Sequence, residues 1–239
     1  MKNKFLLLNL FYSISLMLNA QVDTIYIDEN GSRISKAIYY NKGKSKLYYG
    51  ERFITDTLVV EKLKLSYYFG KLEPEVKSQL FKLFHNRNNI DTSKVLIIHY
   101  NDTLKNPKDY VKNKELKFMY SFGHEHYNNY KGFIRAHKQC RKRNNVFRKI
   151  AHVCHFFGFN DGHPNEFRKQ LWYKDYGLIL KKLFFSGYVK ANRMIIRPNG
   201  EFFIGYYNNF IFKGLVEENE WINSRNLYID ELNKLNSYK

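Results

Sequence analysis

Residues 193–204 read Arg-Met-Ile-Ile-Arg-Pro-Asn-Gly-Glu-Phe-Phe-Ile and carry the clearest structural signal in this chain of 239 residues. Apolar runs flank Pro198-Asn199-Gly200, and an Asn-Gly pair readily adopts the left-handed conformations of a tight turn. The segment therefore predicts an antiparallel hairpin with strands over residues 194–197 and 201–206. Apolar residues at helical spacing predict a final helix from about residue 216 to 235.

Several elements are predicted upstream of the hairpin. Residues 95–100 form a short apolar run between polar residues, which is typical of a strand buried on both faces. A second strand is predicted over residues 146–157, after a basic helix over residues 126–142. A helix over residues 173–185 has Tyr176, Ile179, Leu180, Leu183 and Phe184 on one apolar stripe.

The N-terminal part favours short strands. Residues 24–27 alternate and meet Asn30-Gly31, which predicts a hairpin. Further extended runs are predicted at residues 37–40, 46–49 and 57–65. A helix is predicted over residues 73–86, because Pro74 is tolerated in a first turn, where its missing N–H is not needed. We therefore expect a small β-rich unit over residues 21–72.

From residue 95 the predicted order is strand, helix, strand, helix, antiparallel hairpin and C-terminal helix, which resembles the thioredoxin fold. The resemblance implies an α+β fold (an α/β sandwich): a thioredoxin-like domain with a mixed central sheet over residues 73–239, preceded by the β-rich extension. Thioredoxins act through a Cys-x-x-Cys after the first central strand. The corresponding stretch from Asn101 onward has no cysteine, and Ala191-Asn192-Arg193 stands where the family has a proline. The resemblance thus implies a fold without redox activity.

The N-terminus has the layout of a cleavable signal peptide over residues 1–20. Lys2 and Lys4 precede an apolar run over residues 5–18, which is shorter than the roughly 18–20 residues needed to cross a bilayer. We expect cleavage between Ala20 and Gln21, export to the periplasm or the extracellular space, and a mature chain without a transmembrane segment. An uncleaved N-terminal anchor is the alternative.

The composition is strongly basic, with 40 Lys and Arg against 22 Asp and Glu and a net charge of +18. This surplus favours an anionic partner, and export argues against nucleic acid, which leaves a polysaccharide, a lipid headgroup or an acidic protein. The chain is also rich in Lys, Asn, Tyr, Phe and Ile, the residues that AT-rich coding sequence specifies. Its basicity can therefore also arise without a dedicated polyanion site.

The chain has two cysteines, Cys140 and Cys154. An even count in an exported chain predicts a structural disulfide between them, because oxidising conditions let such a bond persist. Two separate buried thiols are the alternative.

Histidines near the cysteines suggest a candidate metal site. His137 and Cys140 are three residues apart on a predicted helix, while His152 and Cys154 share one face of a strand from which His155 points away. Imidazole and thiolate are ligands that zinc prefers. No recurring zinc spacing is matched, so solvated or core histidines are the alternative, and no cofactor is predicted.

A second candidate site surrounds the long polar loop over residues 101–114. His99, Asp102, His124 and His126 lie at the end of the first central strand, where α/β folds often place sites. They match no catalytic motif. We therefore expect an exported protein with a non-enzymatic binding or structural role. A thiol-redox or metal-dependent enzyme that uses the two cysteines and the nearby histidines is the alternative.

Overall fold

The computed structural model describes residues 23–106, 108, 150–162, 166–167, 170–185, 191–205 and 214–237. The chain divides into two compact units, Met1–Lys64 and Leu65–Lys239. Both contain strands and helices, and the sheets are mixed, so the predicted α+β class is confirmed. The predicted signal peptide and the predicted helix over residues 126–142 lie outside the described residues. No helix in the described ranges is long and apolar enough to span a membrane.

The first unit is a four-stranded sheet with one helix. Its elements are β1 (Asp23–Ile27), β2 (Arg33–Ile34), α1 (Lys36–Gly43), β3 (Tyr48–Ile54) and β4 (Leu58–Leu65). The strand order is β2-β1-β4-β3, with β1 antiparallel to β2 and parallel to β4. The predicted hairpin at Asn30-Gly31 is confirmed, because Gly31 has a φ of 91° and its N–H donates to the carbonyl of Asp28 at 3.1 Å.

The predicted extended run over residues 37–40 is wrong, because these residues lie in α1. The N-cap Ser35 accepts a hydrogen bond from the backbone N–H of Ile38 at 3.2 Å, which satisfies a donor in the first turn. The buried Lys42 forms an ion pair with Glu29 at 3.1 Å. This contact with a residue outside the helix favours the helical conformation. The local pattern of residues 37–40 does not reveal the contact, which is why an extended run was predicted.

The second unit is built on a seven-stranded sheet. Its strands are β5 (Tyr67–Lys71), β6 (Val95–Lys105), β7 (Ala151–Asp161), β8 (Glu166–Phe167), β9 (Gln170–Lys174), β10 (Arg193–Ile196) and β11 (Glu201–Gly205), and its helices are α2 (Pro74–Asn88) and α3 (Glu218–Asn236). The strand order is β5-β11-β10-β6-β7-β9-β8. β6 runs parallel to β7 and antiparallel to β10. Because β5 pairs with β11, the boundary between the units lies at Lys64 and Leu65 instead of the predicted residue 72.

The strongest sequence signals of the second unit are confirmed. The strand predicted over residues 95–100 is buried and continues as β6. The hairpin of β10 and β11 turns at Gly200, whose φ is 87°. The helices predicted near both ends of the unit are α2 and α3, and Pro74 lies in the first turn of α2.

The helix predicted over residues 173–185 is wrong in its first half. Its first residues belong to β9, and a 3₁₀ turn (Tyr176–Leu178) and a π-helical turn (Lys181–Phe185) follow. Gly177 and Leu178 have φ values of 67° and 54°, which a right-handed helix excludes. The strand predicted over residues 146–157 begins at Ala151 in the described residues.

The helix α3 packs on the core through three buried side chains, Trp221, Tyr228 and Leu235, of which Trp221 is the largest. Trp221 is fully buried, contacts the ring of Phe69 at a centroid distance of 5.2 Å, and donates its indole N–H to Glu201 at 3.0 Å. Glu201 also pairs with Arg225. This one residue therefore joins α3 to both β5 and β11.

Replacing Trp221 by Ala is expected to lower the free energy of unfolding by about 3–5 kcal/mol, because it leaves a cavity and removes the donor to Glu201. Leu227→Ala on the same helix is the control, since Leu227 is 70% exposed and its loss is expected to change the free energy by no more than about 0.5 kcal/mol. Urea unfolding followed by circular dichroism measures both. Equal effects of the two variants would contradict this account of the core.

Candidate functional site

Two cationic side chains lie close to a solvent-exposed tyrosine ring on the second unit. The Cζ atom of Arg87 and the Nζ atom of Lys174 each lie 5.8 Å from the centroid of the Tyr176 ring. Tyr176 is 51% exposed. We call these three residues the Tyr176 platform. Cation–π contacts at exposed sites contribute about 0.5–1 kcal/mol each.

Three elements bring the platform residues together. Arg87 lies in the last turn of α2, Lys174 ends β9, and Tyr176 begins the 3₁₀ turn. The helix α2 ends at Asn89, which adopts the left-handed conformation that helix C-termini favour. One turn earlier, the ring of Phe84 contacts Phe156 of β7 at 5.5 Å. This packing fixes the end of α2 against the sheet.

The buried carboxylate of Asp175 holds the turn that carries Tyr176. Asp175 is 4% exposed. It accepts hydrogen bonds from the hydroxyl of Tyr100 at 3.1 Å and from the backbone N–H groups of Leu180 and Lys181, both at 3.0 Å. A buried charge requires partners of this kind. Because Asp175 stands between Lys174 and Tyr176 in the chain, these bonds fix both platform residues.

The backbone of this turn depends on two left-handed residues and on a close approach between strands. Gly177 adopts its positive φ without a steric penalty. The positive φ of Leu178 costs roughly 1 kcal/mol in conformational energy. Gly158 of β7 leaves room for the Tyr100 side chain, since a Cβ atom there would lie 2.9 Å from the Tyr100 hydroxyl oxygen. The sequence therefore needs glycine at both positions.

Tyr100 stays a hydrogen-bond donor over the whole physiological range of pH. Burial raises the pKa of Tyr100 well above its ordinary value, and the negative charge of Asp175 and the hydrogen bond to it raise this pKa further. The ring also stacks on Phe185 with a centroid distance of 4.8 Å. Its role at this site is to position Asp175.

Within the described ranges, no carboxylate forms an ion pair with the two cations of the platform, Arg87 and Lys174. A guanidinium group can bind an oxyanion through two parallel N–H groups, and an ammonium group binds it as a compact charge. The arrangement can therefore hold a sulfate, phosphate or carboxylate group of a partner.

Of the four loop residues that the sequence predicts as a site, the structure describes His99 and Asp102, and these two are not brought together. His99 and Asp102 point to opposite faces of β6, because side chains alternate along a strand. Asp102 pairs with Lys181 at 3.1 Å, whereas His99 stacks on His155 with a centroid distance of 4.7 Å. The other two predicted members, His124 and His126, lie outside the described residues.

A row of polar side chains crosses the sheet at the level of His99. Arg193 and His155 lie opposite His99 on the two neighbouring strands, and His155 contacts Trp172 at 5.2 Å. Arg193 is 8% exposed and His155 is 6% exposed. Sequence reasoning missed this row, although the alternation along β7 already directed His155 away from Cys154.

The candidate metal residues are only partly described. His152 and Cys154 share a face of β7, as predicted, and burial lowers the pKa of His152. His137 and Cys140 lie outside the described residues. Within the part of the chain that the structure describes, no group of three or more His, Cys, Asp or Glu is placed to hold a metal ion.

The side chain of Cys154 lies in the core. It is 1% exposed, and burial raises the pKa of its thiol. Nucleophilic and redox chemistry require an accessible thiolate, which this environment opposes. Because Cys140 lies outside the described residues, the disulfide between the two cysteines stays a prediction.

Comparison of the chain with protein-family models, with curated proteins and with solved structures finds no match.

The substitution Tyr100→Phe is expected to lower the free energy of unfolding by about 1–3 kcal/mol, because it removes one of three donors from a buried carboxylate. Tyr176→Phe removes a hydroxyl from an exposed ring, so it is the matched control and should change stability by no more than about 0.5 kcal/mol. Urea unfolding measures both. Equal stability of the two variants would mean that Asp175 does not depend on Tyr100.

An alkylating reagent is expected to leave Cys154 unmodified in the native protein, even near pH 9, because the raised pKa and the burial keep the thiol neutral and covered. Peptide mass mapping after iodoacetamide treatment, in buffer and in denaturant, measures this. Rapid native labelling at Cys154 would contradict its burial. Labelling in denaturant without a reductant would rule out the predicted disulfide.

Proposed function

We propose that this chain is an exported, non-enzymatic binding protein that engages an anionic partner through the Tyr176 platform. The observation that carries the proposal is the placement of Arg87 and Lys174 on one exposed ring without a carboxylate partner among the described residues. The net charge of +18 favours encounter with any polyanion. Export directs the proposal to a polysaccharide, with lipid headgroups or acidic proteins as alternatives.

We also propose that the second unit has a thioredoxin-like fold. Support comes from the parallel pair β6 and β7, the antiparallel hairpin of β10 and β11 beside β6, and the C-terminal helix α3. These elements follow the order that the resemblance implies, whereas β9 stands where the second helix was predicted to begin. Thioredoxins carry a Cys-x-x-Cys after their first central strand. The corresponding segment of this chain, from Asn101 onward, has no such cysteine pair.

The absence of redox activity is part of this proposal. The buried thiol of Cys154 supports it, because a thiol that stays protonated does not attack a disulfide. A thiol-redox or metal-dependent enzyme is the rival function. Disulfide-exchange or hydrolase activity that disappears in Cys140→Ser or His126→Ala would favour this rival.

The double variant Arg87→Ala with Lys174→Ala is expected to bind heparin about tenfold more weakly than the unmodified chain, because two charge-assisted contacts are lost. Affinity should also fall as salt concentration rises. Fluorescence anisotropy of labelled heparin measures both effects.

The control is Arg33→Ala with Lys46→Ala, which removes one arginine and one lysine that are likewise exposed. Equal losses in the two double variants would mean that overall charge drives binding and would overturn the platform. Binding to vesicles with anionic lipids, without binding to heparin, would replace the polysaccharide by lipid headgroups.

A further inference from the structure

A cleft of about 440 Å³ opens at the end of the sheet where β6 begins. Its walls come from the residues before β6, from the turn between β10 and β11, and from the first turn of α3. The polar side chains of the cleft include Ser93, Lys94, Arg197 and Glu218, and its apolar side chains include Val95 and Ile150. The volume suits a small organic molecule.

Arg197 forms the floor of the cleft and is held rigidly. It is 7% exposed, and its guanidinium carbon lies 5.1 Å from the centroid of the Trp221 ring. One guanidinium nitrogen donates to the carbonyl of Leu215 at 3.4 Å, and another pairs with the carboxylate of Glu218. A buried guanidinium group requires such an anion.

The carboxylate that pairs with Arg197 belongs to a solvent-exposed side chain. The Glu218 side chain is 62% exposed and begins α3, so it can turn into solvent without disturbing the core. Arg197 needs an anion, but holding the flexible, solvated Glu218 side chain in one position costs side-chain entropy and hydration. An external carboxylate can therefore replace that of Glu218 on Arg197 at low cost.

We infer that the cleft binds a small organic carboxylate. Its carboxylate group takes the position of the Glu218 carboxylate on Arg197, and its apolar body lies against Val95 and Ile150. Lys94 lies at the same cleft, and its ammonium group already pairs with the exposed carboxylate of Asp91 at 3.4 Å, so Arg197 is the cation on which the inference rests. The site uses none of the platform residues, so it is independent of the proposed function.

The test uses 3-phenylpropionate as the probe and isothermal titration calorimetry as the measurement. Glu218→Gln is expected to bind the probe about two- to fivefold more tightly than the unmodified chain. The substitution removes the Glu218 carboxylate, which competes with the probe for Arg197. The matched control is Glu220→Gln, which removes a charge from the same exposed helix turn and should leave affinity unchanged. The neutral analogue 3-phenylpropan-1-ol should not bind measurably.

Arg197→Lys keeps the charge but loses the planar pair of donors, so it should abolish binding of 3-phenylpropionate. Thermal unfolding checks that Arg197→Lys is folded. If Arg197→Lys does not fold, the comparison of Glu218→Gln with Glu220→Gln still tests the inference. Equal affinities of Glu218→Gln and Glu220→Gln, or no binding at millimolar probe, would overturn the inference. The double variant Arg87→Ala with Lys174→Ala should still bind the probe, which separates this site from the platform.

Discussion

The parallel pairing of β6 and β7 is the constraint on which the rest of the second unit depends. The two strands run side by side from Val95 and Ala151 to Lys105 and Asp161. Parallel strands begin at one end of a sheet and finish at the other, so their ends create two chemically different rims. The cleft of Arg197 opens where the strands begin, and the turn held by Asp175 follows β9, which runs parallel to β7. One pairing therefore separates the two candidate sites.

Local signals predicted the elements that need only local information. An Asn-Gly turn, a short apolar run and a proline in a first turn identify the β10–β11 hairpin, β6 and α2. Predictions failed where distant contacts decide the conformation. The helix α1 depends on the pairing of Lys42 with Glu29, and the break after β9 depends on a hydrogen bond between Tyr100 and Asp175, which are 75 residues apart.

The candidate site was the least accessible to sequence reasoning for the same reason. Tyr176 belongs to an apolar helical stripe in the sequence, yet the Asp175 turn exposes its ring to solvent. Arg87 and Lys174 are far apart in the chain and meet only because α2 packs on the sheet through Phe84 and Phe156. Net charge pointed to an anionic partner but could not locate the cations that would contact it.

One edge of the seven-stranded sheet ends in β8, which has only two residues, Glu166 and Phe167. An edge strand normally exposes a row of backbone N–H and C=O groups that a strand of another molecule can pair with. A two-residue strand offers too short a row for stable pairing. Short edge strands are one of the features by which sheets limit growth into aggregates between neighbouring molecules.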